Sequence, residues 1–460
     1  MTNYPNPREW AGELGDEHLE TVKVSLAPVY DHQNGWHEIL PAPEPANVLR
    51  GKVWADYVVI GGGYSGLAAA RRLAELNPDF HVALVEGGRI GNNAAGRSSG
   101  FAIDHAHNIR AKSFAENVEP AKREVALNRE ALDWLEATIV ANNIDCDWRR
   151  EGKYHAAATT KGEKLLQGFA ASLDAIDEDY TRHDATDLKQ VFGTDFYRSA
   201  IHAPHSYLVQ PAAMVRGLAA TMPENVTVYE DSMVTDLDVG PCHMIRTAAG
   251  GQLASTSLVL ANNGFVEGFG FFTKHLIPMI TWGSMTRELT DAELDRLGGV
   301  ESYGIIAAHP AGTSVRRTAS KRILVRNIFS YSKRSSIVGK PLETARKTHR
   351  QSYLNRYPML ADVPFEFTWG GALSLTRNGA PVFGELKPGV WGTVVHNGVG
   401  IAKGTISGKL LAEKMCGFES DSIALMDAKG RPSRNFPEPF NSWGVRMNAR
   451  WRRHQAGLEE

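Results

Sequence analysis

Residues 56–100 read DYVVIGGGYSGLAAARRLAELNPDFHVALVEGGRIGNNAAGRSSG. The apolar run Tyr57–Ile60 predicts a strand, Leu67–Leu76 an alanine-rich helix, and the second apolar run a strand closing at Glu86. Between the first strand and the helix lies G-x-G-x-x-G, at Gly61, Gly63 and Gly66, with Tyr64 and Ser65 inside the turn. That spacing suits a backbone that turns sharply and comes close to a pyrophosphate. The helix amides would face the phosphates, and Glu86, followed by Gly87, stands where a carboxylate can bond ribose hydroxyls. A glycine turn made only for packing is the alternative, but the strand before it, the helix after it and the carboxylate beyond favour dinucleotide binding.

Working outward, the bulk numbers restrict the class of function. The chain has 460 residues, 43% hydrophobic and 22% charged, an ordinary globular composition with room for roughly two to four domains. Its 50 basic and 52 acidic side chains supply no overall field for nucleic acid or an anionic membrane. Cys146, Cys242 and Cys416 show neither a C-x-x-C pair nor Cys/His ligand spacing, so no metal site and no disulfide framework is expected. A polar, acidic N-terminus and the lack of any run of about 18 apolar residues point to a cytoplasmic protein without integral membrane association.

Residues 1–50 hold Pro5, Pro7, Trp10, Pro28, Trp36 and further prolines. They read as an arm packed on the body, with contact to substrate as the alternative. Leu127, Ala131, Leu135 and Ile139 mark the core face of a long helix over 120–142, and a helix is also expected near Leu165–Ile176. Pro211 opens a helix reaching Ala220. VTVYEDSMVTDL, 226–237, alternates like a strand, and SLVLANNG, 257–264, is a buried strand that delivers Ala261, Asn262 and Gly264 to a sheet edge. Ile277–Thr286 and Ser314–Tyr331 read as strands and 341–357 as a basic helix stopped by Pro358. Residues 391–417 return to strand, glycine turn and helix. Near the C-terminus Arg446, Arg450, Arg452 and Arg453 lie beside Trp443 and Trp451, as a solvated or interface helix or an anion- or membrane-facing patch.

Taken in order, VVIGGGYSGLAAARRLAE, RIGNNAAGRSSG, YLVQPAAMVRGLA, SLVLANNG, WGGALSLTRNGAPVFGE and the closing glycine-rich helix resemble the FAD-dependent amine and amino-acid oxidases typified by D-amino-acid oxidase, glycine oxidase and sarcosine oxidase. Among the branches the chain looks most like the gamma-glutamylputrescine oxidase group. The resemblance implies an α/β fold with a mixed α+β second part: a Rossmann-like FAD-binding domain carrying an inserted, largely antiparallel β substrate domain. Residues 1–150, 205–265 and 370–460 would form the first, with the N-terminal arm, and 151–204 and 266–369 the second.

The resemblance also implies noncovalent FAD. Gly61, Gly63 and Gly66 would lie at the pyrophosphate, Glu86 on the ribose, Arg89 beside the adenosine and Val234 against the adenine. Ala95, Gly96, Arg97, Ser98 and Ser99 would follow the ribityl chain and flavin, although Ala95 replaces the family's usual serine and Ser98–Ser99 its Asn–Gly. Gly398, Gly400, Ile401, Lys403 and Gly404 would open the last helix, whose N-terminus suits negative charge on a reduced flavin.

Leu373 stands where simple amino-acid oxidases of this resemblance carry an arginine for the substrate carboxylate. An amine or N-substituted amino acid held in another way is the expected substrate, with oxygen as electron acceptor. A dehydrogenase of the same fold feeding a carrier, or a non-catalytic flavin-binding subunit, are the alternatives, and oligomerisation stays open. In SVRRTASKRILVRNIFSY, strand alternation sets Arg322, Leu324 and Arg326 on one face. Arg326, with Arg317, either binds an anionic part of the substrate or pairs with surface carboxylates. His396 either acts beside the flavin or satisfies a strand end. Trp282 and Trp369 either line the substrate cavity or fill the core.

Overall fold

The computed structural model describes residues 20–29, 33–105, 118–335, 337 and 339–460. Pro5, Pro7 and Trp10 of the expected arm lie outside the described residues. The stretch that opened the sequence reading is the centre of a six-stranded sheet, ordered Val226–Tyr229, Val82–Val85, Tyr57–Ile60, Ser257–Leu260, Val390–Val394 and Val382–Lys387. All neighbours are parallel except the last pair. Val59 and Leu84 face helices Tyr64–Leu76 and Gly400–Met415, where Leu67, Leu73, Ile406 and Leu410 close one core. Val58, Ile60 and Val85 point the other way, onto a five-stranded sheet contributing Leu237, Ile245 and Leu253. Both faces are covered, which is why these strands are unbroken apolar runs.

A second, eight-stranded sheet takes strands from two separate parts of the chain. Its order is Phe365–Thr376, Leu276–Thr286, Ile323–Tyr331, Ser314–Arg317, Tyr303–Ala307, Lys153–Ala157, Ser199–Ala203 and Thr181–Asp184. Only the pairing of Tyr303–Ala307 with Lys153–Ala157 is parallel. Helix Lys340–Arg356 packs its buried Ala345, His349 and Tyr353 against this sheet and ends before Pro358. Helix Val118–Ala141 buries Leu127, Ala131, Leu135 and Ile139, the face expected from their spacing.

Three boundaries differ from the sequence reading. The first helix starts at Tyr64 rather than Leu67, because Gly63 supplies an extended N-cap without demanding a side chain. Residues 226–237 form two strands in two sheets, broken where Asp231 takes φ +49°. Residues 314–331 form a hairpin rather than one strand: Thr318 and Arg322 bond across the turn, with Lys321 at φ +56°. Alternation persists through each break, so period two alone cannot reveal it.

Candidate active site

A cavity of about 520 Å³ runs from the glycine turn, across the carboxyl edge of the six-stranded sheet, to the underside of the eight-stranded sheet. At one end Ile60 leads into Gly61, whose φ of +113° only glycine adopts without strain. A Cβ there would stand 2.6 Å from the Ala261 carbonyl oxygen, and one on Gly66 only 1.8 Å from that of Gly61. Gly63 differs: a Cβ would meet nothing nearer than Ala95 at 3.8 Å. Its open side is cavity, lined also by Tyr64, Ser65, Glu86, Gly87 and Val234. No side chain caps this helix and no acid lies in its first turn, leaving amide donors and a partial positive charge for an anion. Glu86 accepts from the Gly62 amide at 2.8 Å, the Gly88 amide at 3.1 Å and Asn93 at 3.2 Å, which fixes its carboxylate at the cavity wall.

The loop after Glu86 is held by its own carbonyls. Asn34 donates to the carbonyls of Gly91 (3.1 Å) and Gly96 (2.9 Å), the Trp36 indole to Ser98 (2.8 Å), the Trp369 indole to Arg97 (3.1 Å), and Tyr64 to Ala95 (2.8 Å). The Arg316 Nη1 reaches the carbonyls of Ser99 (3.2 Å), Gly100 (3.0 Å) and Val209 (2.6 Å). Its guanidinium, wholly buried against Trp36 and Phe101, is pushed down to about 10 by burial. Arg97 points back into the protein, to Asn92 (2.9 and 2.8 Å) and the Gly370 carbonyl (3.1 Å). The unusual Ala95, Ser98 and Ser99 line the cavity on a backbone that does not depend on their side chains for its main anchors.

Helix Gly400–Met415 packs beside the first helix on the same face of the sheet and brings a second N-terminus to the cavity. Gly400 and Ile401 line the cavity with Asn397, Gly398 and Val399, and this helix too lacks a side-chain cap and a first-turn acid. The preceding turn is strained at Val395, whose φ of +65° costs a β-branched residue about 1–3 kcal/mol, while Asn397 takes φ +51°, a conformation asparagine tolerates. His396 sits between them, its Nε2 3.1 Å from Ser65 Oγ. Burial, then Lys403 and Lys429, push its pKa down to about 3, so it is neutral at ordinary pH.

At the far end Trp282, Thr281, Leu373, Ser314 and Arg326 surround the remaining space. The Trp282 indole donates to Ser330 Oγ at 3.1 Å, while Thr281 Oγ1 has no partner among the described residues. Among the described residues no carboxylate and no carbonyl meets the Arg326 guanidinium. It lies 5.1 Å over the Phe329 ring, and burial pushes it down to about 10. Leu373, where a carboxylate-binding arginine was missed in the sequence, shares this wall with Arg326, two strands away across Leu276–Thr286.

The structure thus brings most expected site residues together and sets others apart. Arg317 turns away from the cavity and donates to the Gly298 carbonyl, at 2.5 Å, so it does not join Arg326. Arg89 is tied to Glu230, 3.3 Å away, and to the Glu44 carbonyl. Lys403 pairs with Glu124 at 2.6 Å, beside a separate cavity of about 200 Å³ behind His396. Gly66, Gly96, Gly264 and Gly404 are off the lining and act in packing: a Cβ on Gly264 would strike Ser374 Oγ at 1.9 Å, and one on Gly404 would press Tyr64 at 3.2 Å. The arm, read as packed on the body with substrate contact as the alternative, supplies Val24, Leu26 and Pro28 to the cavity wall. Asn34, Trp36 and Arg316 carried no local signal, since each acts on backbone 57 to 217 residues away.

Among the described residues Asp104, His105 and Glu178 gather closely enough to hold a metal ion. Arg129 already bridges Asp104, at 2.9 Å, to Glu178, so a cation occupies the carboxylates. The main cavity fits FAD instead. It has two uncapped helix N-termini for the pyrophosphate and a reduced ring, a fixed carboxylate at the end of the strand beside the first of them, and an Asn262 amide whose polar atoms have no partner among the described residues.

Comparison with known proteins agrees. Residues 56–414 match the family model described as FAD dependent oxidoreductase. The chain is 25% identical over 416 residues to gamma-glutamylputrescine oxidoreductase of Escherichia coli, spanning 87% of this chain and 93% of that one. It is 25% identical over 396 residues to a probable oxidoreductase, OrdL, of Haemophilus influenzae, spanning 82% and 86%. Its fold matches glycine oxidase from Geobacillus kaustophilus with a TM-score of 0.68 at 17% identity, over 84% of this chain and all of that one.

Proposed function

The chain belongs to the FAD-dependent oxidoreductase family, and on that premise we propose that it oxidises a C–N bond in an amine or N-substituted amino acid that also carries an anionic group. The observation that carries this reading is Arg326, a guanidinium facing the cavity with no counter-charge among the described residues. A buried cation left unpaired is costly, and a carboxylate accepts its forked donors two at a time. Trp282 and Leu373 supply apolar walls for the carbon chain, and Thr281 Oγ1 offers an unused hydroxyl for the nitrogen.

FAD, when bound, takes up the two electrons and hydrogen of the C–H bond next to nitrogen. The chain's part is to hold that carbon in place and to settle charge. Arg326 would anchor one end of the substrate, fixing its distance from the flavin. The N-terminus of helix Gly400–Met415 would stabilise negative charge gained by the ring. His396, neutral, can accept or donate a hydrogen bond but is too weak a base to take a proton at neutral pH. The substrate loses two electrons and two protons to become an imine, and water cleaves it to an aldehyde or oxo acid and a smaller amine. Oxygen takes the electrons and protons, giving hydrogen peroxide. The cofactor is held noncovalently, a reading supported by a lining without cysteine.

The test is aerobic turnover of the purified holoenzyme with N-substituted amino acids and amine conjugates, with peroxide and carbonyl product measured together. Equal amounts of both support the reading. Carbonyl product formed only with an added electron carrier contradicts the oxygen step.

A further inference from the structure

The last helix of the chain, Phe440–Ala456, lies beyond the stretch that matches the family. Its inner side is fastened to the body: Ala456 is buried and Arg453 donates to Thr348 Oγ1 at 3.1 Å, while on the flank the exposed Arg446 guanidinium lies 5.5 Å over the Tyr331 ring. Its outer side carries large apolar groups in water. Phe440 is 71% exposed, Trp443 65%, Met447 47% and Trp451 60%, with Phe436 just before them at 60%. At about 100° per residue, positions 440, 443, 447 and 451 fall within about 80° of one another, a single stripe along the helix. Arg446 and Arg450, both exposed, run along one flank. The helix holds four arginines and one histidine and no carboxylate, in a chain whose net charge is only −2.

We propose that this helix docks the protein on an anionic lipid surface, with Phe440, Trp443, Met447 and Trp451 in the interfacial layer and Arg446 and Arg450 among the headgroups. An exposed aromatic stripe flanked by arginine is the chemistry of a helix lying in a bilayer interface. A second copy of the chain fits less well. Antiparallel twofold pairing through the stripe sets Arg446 and Arg450 of both copies on the same side, with no acid on the helix to meet them. Among the described residues no helix is long and apolar enough to cross a membrane, so docking would be peripheral. The proposal stands apart from the choice of substrate.

The test is co-sedimentation of the FAD-loaded protein with vesicles of phosphatidylcholine alone and of phosphatidylcholine with phosphatidylglycerol, with tryptophan emission read in parallel. Binding is expected to the mixed vesicles only, with a blue shift of emission, and to fade in high salt. R446Q/R450Q should weaken partitioning about 30-fold, near fivefold per arginine, and W443S/W451S should weaken it by about tenfold or more. All four side chains are exposed and Arg446 gives up only its stacking on Tyr331, so both variants should keep flavin absorbance, with the thermal midpoint lowered slightly at most in R446Q/R450Q. The proposal is overturned by no binding to anionic vesicles at low salt, by equal binding to both vesicle types, or by a concentration-dependent dimer that W443S/W451S abolishes. An acidic protein that binds this helix while anionic vesicles do not also overturns it.

Discussion

Replacing Arg326 with Met keeps the length of the side chain and removes its charge. In the substrate-free protein the guanidinium has an aromatic ring on one side and, among the described residues, no anion beside it. Removing it should therefore stabilise the protein, by about 1–3 kcal/mol. Toward an anionic substrate the change should act in the opposite direction. The forked pair that Arg326 would make is lost and a carboxylate is left facing an apolar wall, which costs about 2–4 kcal/mol, or roughly 30- to 1,000-fold in affinity. The assay is anaerobic titration of the yellow protein, following loss of flavin absorbance, beside a thermal melt of the same samples. Arg326→Lys should fall between, since it keeps a charge but not the fork. Unchanged affinity in Arg326→Met, or a lower melting temperature without substrate, refutes the reasoning.

Other substitutions probe the cradle. Gly66→Ala places a methyl 1.8 Å from the Gly61 oxygen, so the variant should purify colourless and fail to take up added FAD. Arg316→Met strips donors from the carbonyls of Ser99, Gly100 and Val209 and should lower the denaturant midpoint by the equivalent of about 2–4 kcal/mol while weakening FAD binding in an equilibrium titration. His396 has a folded pKa near 3, below its ordinary 6.5. The unfolded chain therefore binds more protons between those values, and His396 costs stability as pH falls from about 6.5 toward 3 and costs none above. His396→Asn should flatten the stability profile in that window and leave the pH dependence of turnover between about 6.5 and 9 unchanged. Acid precipitation of wild-type protein should leave all flavin in the supernatant.

The cofactor half was legible because its signals are local. The unit from Tyr57 to Glu86 needs glycines at fixed offsets and apolar runs of strand length, and both are printed in consecutive residues. The substrate half was less so. Period two puts Arg322, Leu324 and Arg326 on one face and Arg317 elsewhere, but it does not say where the hairpin turns or which face meets the cavity. Those depend on pairing with Leu276–Thr286, which itself shifts register between Thr281 and Trp282. The same blindness hid Arg316, one residue from the arginine that the sequence suggested. Asn34 and Trp36 were invisible for another reason: they cap carbonyls about 60 residues away, and a carbonyl carries no side-chain signature.

An FAD site beside a guanidinium without a counter-charge among the described residues should select an anionic amine. The decisive measurement mixes the anaerobic wild-type holoenzyme with pairs of amines that differ only in a carboxylate and records flavin bleaching. Rapid bleaching by the carboxylated member of a pair is expected, and little by its neutral counterpart. Equal bleaching by both, or none by any carboxylated amine, would contradict that selection.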